Sequence, residues 1–171
     1  RQNSVRIISL PAANPFAGQC NGVYDNRTRA KLAQAQVDYT ASRKNAFSVR
    51  YLYDNDDIVE DYEMAENTAL DFSDLSTSWN WTLGGSMLNS LVVQVMDQDT
   101  QRFQTTPDTQ VIRPSFSSGR SPNLPQGFPR KRYTVNDTFF WSTGRHSTKF
   151  GMRMAYEDLD YLADYYGAGV W

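Results

Sequence analysis

From Ala33 to Tyr53, apolar and polar residues change places at nearly every step. Ala33, Ala35, Val37, Tyr39 and Ala41 oppose Gln34, Gln36, Asp38 and Thr40. After the polar turn Ser42-Arg43-Lys44-Asn45, Phe47, Val49, Tyr51 and Tyr53 oppose Ala46, Ser48, Arg50 and Asp54, and only Leu52 breaks the polar parity. A period of two marks a strand with unlike faces, and two such runs around a short turn predict a hairpin. A second hairpin follows. Trp79, Trp81 and Leu83 alternate with Ser78, Asn80 and Thr82, the chain turns at Gly84-Gly85-Ser86, and Leu91, Val93 and Val95 alternate with Ser90 and Gln94. In the third, Val135, Phe139 and Trp141 lead to a Gly144-Arg145-His146 corner, and Phe150, Met152, Met154 and Tyr156 then oppose Lys149, Gly151, Arg153 and Glu157.

The pattern predicts hairpins over 31–55, 75–97 and 132–157, a loop over 1–30, long loops over 56–74 and 98–131, and a loop or the start of a next strand over 158–171. Val5 to Leu10 has some strand character, but Pro11 and Pro15 close behind it favour a loop. The turns within pairs are tiny and the connections between pairs are long. Outer-membrane barrels sort their connections this way, with short periplasmic turns and long extracellular loops; a soluble sandwich has no reason to. The expected fold is therefore all-β, an antiparallel up-and-down meander of about six strands belonging to a transmembrane β-barrel. Tyr39, Tyr51, Tyr53, Trp79, Trp81, Trp141 and Tyr156 lie mostly towards strand ends, where aromatic girdles sit. Asp137 is the misfit: it shares the parity of Phe139 and Trp141, which a bulge or a place at the aqueous rim would explain.

Composition narrows the function. A net charge of -2 lacks the basic stripe of a nucleic-acid binder. The single cysteine, Cys20, rules out an internal disulfide and any cysteine-based zinc cluster. No signal peptide and no apolar run long enough for a membrane helix is visible. Mean hydropathy is -0.61, which does not count against a barrel, because only alternate strand residues meet lipid.

Candidate chemistry is sparse. His146 is the only histidine and sits at a turn, so it lacks the partners that metal or acid-base work requires. The acidic stretch from Asp54 to Asp74 fails the EF-hand template, since Val59 and Ala65 stand where its glycine and glutamate belong. Looser ion binding and a solvated loop facing lipopolysaccharide both remain open for it. No catalytic, cofactor-binding or metal-binding residue is assigned, and no enzyme is expected. Asp38, Arg50, Lys149 and Arg153 lie on the polar parity and are the candidates for facing a lumen, a plug or a passing anionic substrate; pairing of the cations with Asp38, Asp54 or Glu157 is the plainer alternative.

Several of these segments also resemble a known family. "AQVDYTASRKNAFSVRYLYDND", with Asp38-Tyr39 and Arg50-Tyr51, resembles the paired strands of TonB-dependent outer-membrane receptors. The similarity is to the Oar-like group, which carries an N-terminal carboxypeptidase-regulatory-like domain. "VNDTFFWSTGRHSTKFGMRM", with Asp137, Gly144-Arg145-His146 and Lys149-Phe150-Gly151, resembles a later hairpin of that group. Leu88-Asn89-Ser90-Leu91 resembles the intervening Asn-Glu-Leu/Phe step, with Ser90 replacing the acid. The resemblance runs in order over roughly residues 30 to 157. It implies part of a barrel in the bacterial outer membrane that takes up a bulky scarce solute such as a siderophore or oligosaccharide. The implied partners are outer-membrane lipid, TonB and a plug domain. The group's plug, TonB box and terminal aromatic-ended strand have no counterpart here, so an internal piece of a longer barrel is expected. A soluble or surface binding module (an adhesin or carbohydrate-binding sheet) and a plug-less porin are the alternatives; the side on which the apolar parity lies separates barrel from sandwich.

Overall fold

The computed structural model describes residues 2–9, 11–13, 22–60, 66–104, 108–114, 116–119 and 121–165. The long strands are β1 (Gln2–Ile8), β2 (Gly22–Ser42), β3 (Asn45–Glu60), β4 (Glu66–Leu83) and β5 (Met87–Gln104). Three short ones follow, β6 (Val111–Arg113), β7 (Phe116–Ser118) and β8 (Gln126–Gly127), then β9 (Arg130–Thr143), β10 (His146–Leu159) and the short β11 (Leu162–Ala163). The main sheet runs β1-β2-β3-β4-β5-β9-β10, antiparallel at every step; β8 joins the end of β5 and pairs with β11. Among the described residues there is no helix. The all-β antiparallel meander holds, as an open sheet.

The element bounds differ from the sequence expectation. The segment 56–74 is mostly strand, because β3 and β4 stay paired out to Glu60↔Glu66. β5 continues past residue 97 to Gln104, β1 forms where a loop was expected, and β2 begins at Gly22. The proline-rich connection is built rather than open. It carries the β6–β7 hairpin and buries Leu124, and Phe128 N donates to Thr100 O at 2.9 Å. The tight turns at Arg43-Lys44, Gly84-Gly85-Ser86 and Gly144-Arg145 lie at one end of the sheet. Gly84 and Gly144 take φ of 72° and 56° there, values that side chains larger than glycine rarely adopt.

Paired residues share a face, so the register assigns both faces. Val37, Val49, Thr77, Val93, Val135 and Met154 form one row across β2, β3, β4, β5, β9 and β10. Towards the turns stand Tyr39, Phe47, Trp79, Leu91 and Met152, then Trp81, Phe139 and Phe150; towards the loops stand Tyr51, Leu75, Val95, Tyr133 and Tyr156. The opposite face carries Gln36, Asp38, Ser48, Arg50, Ser76, Ser78, Gln94, Thr134, Lys149 and Arg153.

The exposure of these faces is inverted relative to a soluble protein. Leu75, Val93 and Val135 are 44%, 41% and 39% exposed, whereas Asp74 and Thr134 on the polar face are 4% and 2% exposed. Among the described residues Leu124 is the one buried hydrophobic side chain. The most buried polar side chains lie on the polar side, and among the described residues no second sheet packs on the apolar side. That is the arrangement of a barrel wall rather than of a sandwich. From the Trp141/Met87 level to the Tyr133/Val95 level the apolar rows cover nine residues, eight rises along the strand. That is about 27 Å along a strand, or roughly 20 Å along the membrane normal at barrel tilt, and flanking side chains bring it close to an outer-membrane apolar band.

Aromatic rings bracket that band. Near the turns Trp79 stacks on Phe47 (6.0 Å) and on Trp81 (5.6 Å), Phe139 packs on Phe150 (5.1 Å), and Trp79 Nε1 donates to Asn45 Oδ1 at 3.0 Å. Near the loops Tyr133 stacks on Tyr156 at 6.3 Å. Asp137 lies within the turn-side girdle, and no bulge displaces it: the register passes through Asn136↔Val92, Asp137↔Leu91 and Thr138↔Ser90 unbroken. Asn89 on the same face supplies the partner, donating from Nδ2 to Asp137 Oδ1 at 2.7 Å. Removing only the donor strands a carboxylate at the lipid boundary, which costs about 1–3 kcal/mol. Asn89→Leu should therefore lower the folding midpoint in detergent or lipid, and adding Asp137→Leu should recover most of the loss; equal, additive losses would show that the pair is uncoupled.

Candidate functional site

The polar face is where chemistry is concentrated. All four residues singled out from the sequence, Asp38, Arg50, Lys149 and Arg153, lie on it, but the structure does not gather them. Asp38 and Arg153 stand at one level on β2 and β10, at opposite margins of the sheet. Asp38 accepts from Gln36 Nε2 at 3.1 Å. Arg50 borders a shallow depression of about 200 Å3 with Gln36, Ser48, Ser76, Ser78 and Val92. Lys149 Nζ sits 5.1 Å from the centre of the Phe140 ring, a cation–π contact. Glu157, one of the expected partners for these cations, instead approaches Arg130 (3.7 Å) and Arg132 (3.9 Å).

A second set on this face escaped the sequence reading. Asp74 is buried in the wall; its Oδ2 accepts from Gln94 Nε2, while its Oδ1 has no hydrogen-bond partner. Arg132 Nε, at the same level on β9, is likewise buried without one. Arg130 donates to Gln98 Oε1 at 2.6 Å. Beyond the band Arg102 binds Glu66 Oε1 through Nη2 at 2.6 Å and reaches Gln126 Oε1 at 3.4 Å, tying the folded-back connection to the wall. Above the membrane level burial pushes the Asp56 carboxyl up, with the charge of Asp54 adding to it. The signal that could have found Asp74 was the polar parity continued outward from Thr82, Asn80, Ser78 and Ser76.

His146 opens β10 opposite Thr143 and is exposed, so it belongs to the hairpin corner. Among the described residues no group of three or more His, Cys, Asp or Glu side chains is arranged to hold a metal ion. The acidic stretch is not one loop: its ends are the outer parts of β3 and β4, where Asn55 Nδ2 donates to Asp71 Oδ1 at 2.5 Å. Residues 61–65 fall outside the described residues.

An open sheet with a girdled apolar band outside and a polar, enclosed inner face is the anatomy of a barrel wall. The family described as outer membrane beta barrel domain matches residues 1–171. The chain belongs to that family. No curated protein matches it, and neither does any solved structure. As an outer membrane beta barrel domain it is located in the bacterial outer membrane. Its apolar rows occupy one face of the sheet, and its polar rows, with Asp38, Arg50, Asp74, Arg132, Lys149 and Arg153, occupy the opposite face.

Proposed function

We propose that this barrel wall belongs to a TonB-dependent transporter of the Oar-like kind, which takes up a bulky, scarce solute across the outer membrane. The observation that carries the reading is the ordered resemblance described above, from Asp38-Tyr39 and Arg50-Tyr51 to Gly144-Arg145-His146 and Lys149-Phe150-Gly151. Strand length supports it. β2, β4 and β5 have 21, 18 and 18 residues, against the roughly 9–11 needed to cross a bilayer. They rise well beyond the apolar band on the loop side, as the walls of a barrel that admits a bulky solute would.

In this reading the chain catalyses nothing. Its partners are lipid on the apolar face, a plug domain against the polar face, and TonB acting through that plug. Arg50, Lys149 and Arg153 serve chiefly as wall contacts for the plug. The test is energy dependence. Uptake of the solute by cells carrying the full protein should fall to background when TonB is deleted or the proton gradient is dissipated. Uptake that persists under both treatments is what a plug-less porin gives, and it would displace the proposal.

A further inference from the structure

The charges of the polar face are sorted by strand. On β2, β3 and β4 the described side chains facing inward include the carboxylates Asp38, Asp54, Asp56, Glu66 and Asp74 against the single cation Arg50. On β5, β9 and β10 they include Arg102, Arg130, Arg132, Lys149 and Arg153 against the single carboxylate Glu157. Adjoining acidic and basic sectors set a lateral field along the wall, which orients any dipolar solute beside it. Arg102–Glu66, at the loop end, is the ion pair that bridges the sectors among the described residues.

The sectors meet at the level of Asp74 on β4, Met96 on β5 and Arg132 on β9. Both flanking side chains there are incompletely satisfied. Asp74 Oδ1 is buried without a partner, and so is Arg132 Nε, whose nearest carboxylate oxygen, Glu157 Oε2, stands at 3.9 Å. Natural proteins leave few buried polar atoms unpaired, and leaving one oxygen of a buried carboxylate without a donor costs more than leaving a neutral acceptor so. Here a missing donor and a missing acceptor share one level of one wall. Two strand spacings separate their backbones, about 9.6 Å. An extended peptide of three residues spans about 10 Å.

We propose that this level of the wall is a subsite for a zwitterionic, peptide-like solute, with its ammonium group at Asp74 Oδ1 and its carboxylate at Arg132. Gln94, held by Asp74 through its amide nitrogen, keeps its amide oxygen for a peptide N–H between the two ends. The inference names a solute class for the transporter proposed above and rests on that reading for its physiological use. Binding itself requires no energy source.

The test uses the full protein, extracted from outer membranes in detergent, and two probes of equal backbone length: trialanine and its uncharged acetyl, amide-capped form. Trialanine should bind at least tenfold more tightly than the capped peptide. Asp74→Asn and Arg132→Gln should each erase that preference, with assembly confirmed by heat-modifiable gel migration. Two variants keep the test decisive if one of them fails to assemble. Equal binding of the two peptides, or an unchanged preference in an assembled variant, overturns the subsite. Because this assay is unenergised, trialanine preference together with TonB-independent uptake would sink the transporter reading and leave the subsite standing. TonB-dependent uptake without the preference would do the reverse.

Discussion

Val49→Arg should leave the full protein almost absent from the outer-membrane fraction, while Ser48→Arg, one residue away, should assemble at near the normal level. Val49 lies in the middle apolar row, paired with Val37 and Thr77, and is 44% exposed on the outer side. An arginine there meets hydrocarbon, at a cost of about 2–4 kcal/mol near the midplane of a barrel. Ser48 pairs with Asp38 and Ser78 on the inner face, so an arginine there enters a polar space and Asp38 stands directly opposite it. The difference is one of face alone, since the two positions share a strand and a depth. Quantifying both variants in isolated outer membranes checks it. Equal assembly, or the reverse order, would mean that the apolar rows do not face lipid.

This contrast was readable from sequence because alternation is strict: fixing the parity of Val49 fixes that of every residue on β3 and, through pairing, on its neighbours. Parity is also why Asp38, Arg50, Lys149 and Arg153 could be named together. What the sequence hid was how far the strands extend. Beyond Tyr53 the outer parity reads Asn55 and Asp57, and beyond Leu75 it reads Ser73 and Asp71. Past the membrane both faces are wet, so the apolar half of the pattern disappears while the backbone ladder continues to Glu60↔Glu66. A loop reading over 56–74 follows naturally, and with it Asp74 was lost from the site. The proline-rich segment misled differently: its prolines mark turns, but its anchor is Leu124, the one buried hydrophobic side chain among the described residues, which no periodic pattern announces. Asp137 looked like an error of parity because its partner, Asn89, lies on another strand and 48 residues earlier.

The chain 1–171, purified alone, should be insoluble or grossly aggregated in aqueous buffer and become dispersed and β-structured only in detergent. Two properties drive this. First, the outer face exposes Val49, Leu75, Val93, Val135, Met152 and Met154, a contiguous apolar surface far larger than soluble monomers tolerate. Second, among the described residues the sheet has long free edges. All fourteen residues of β10 are exposed. β1 covers β2 only from Gly22 to Thr28, so residues 29–42 of β2 form the other edge. Unpaired N–H and C=O groups along such edges template pairing with other copies, and detergent covers the apolar face without capping them. Edge pairing should therefore persist in part: detergent-dispersed material should contain small oligomers as well as monomer by light scattering, and Ala155→Pro on β10, a position whose N–H points away from β9, should shift it towards monomer by removing an edge donor. A monodisperse monomer in plain buffer, melting cooperatively, is the outcome that this inverted arrangement of faces forbids.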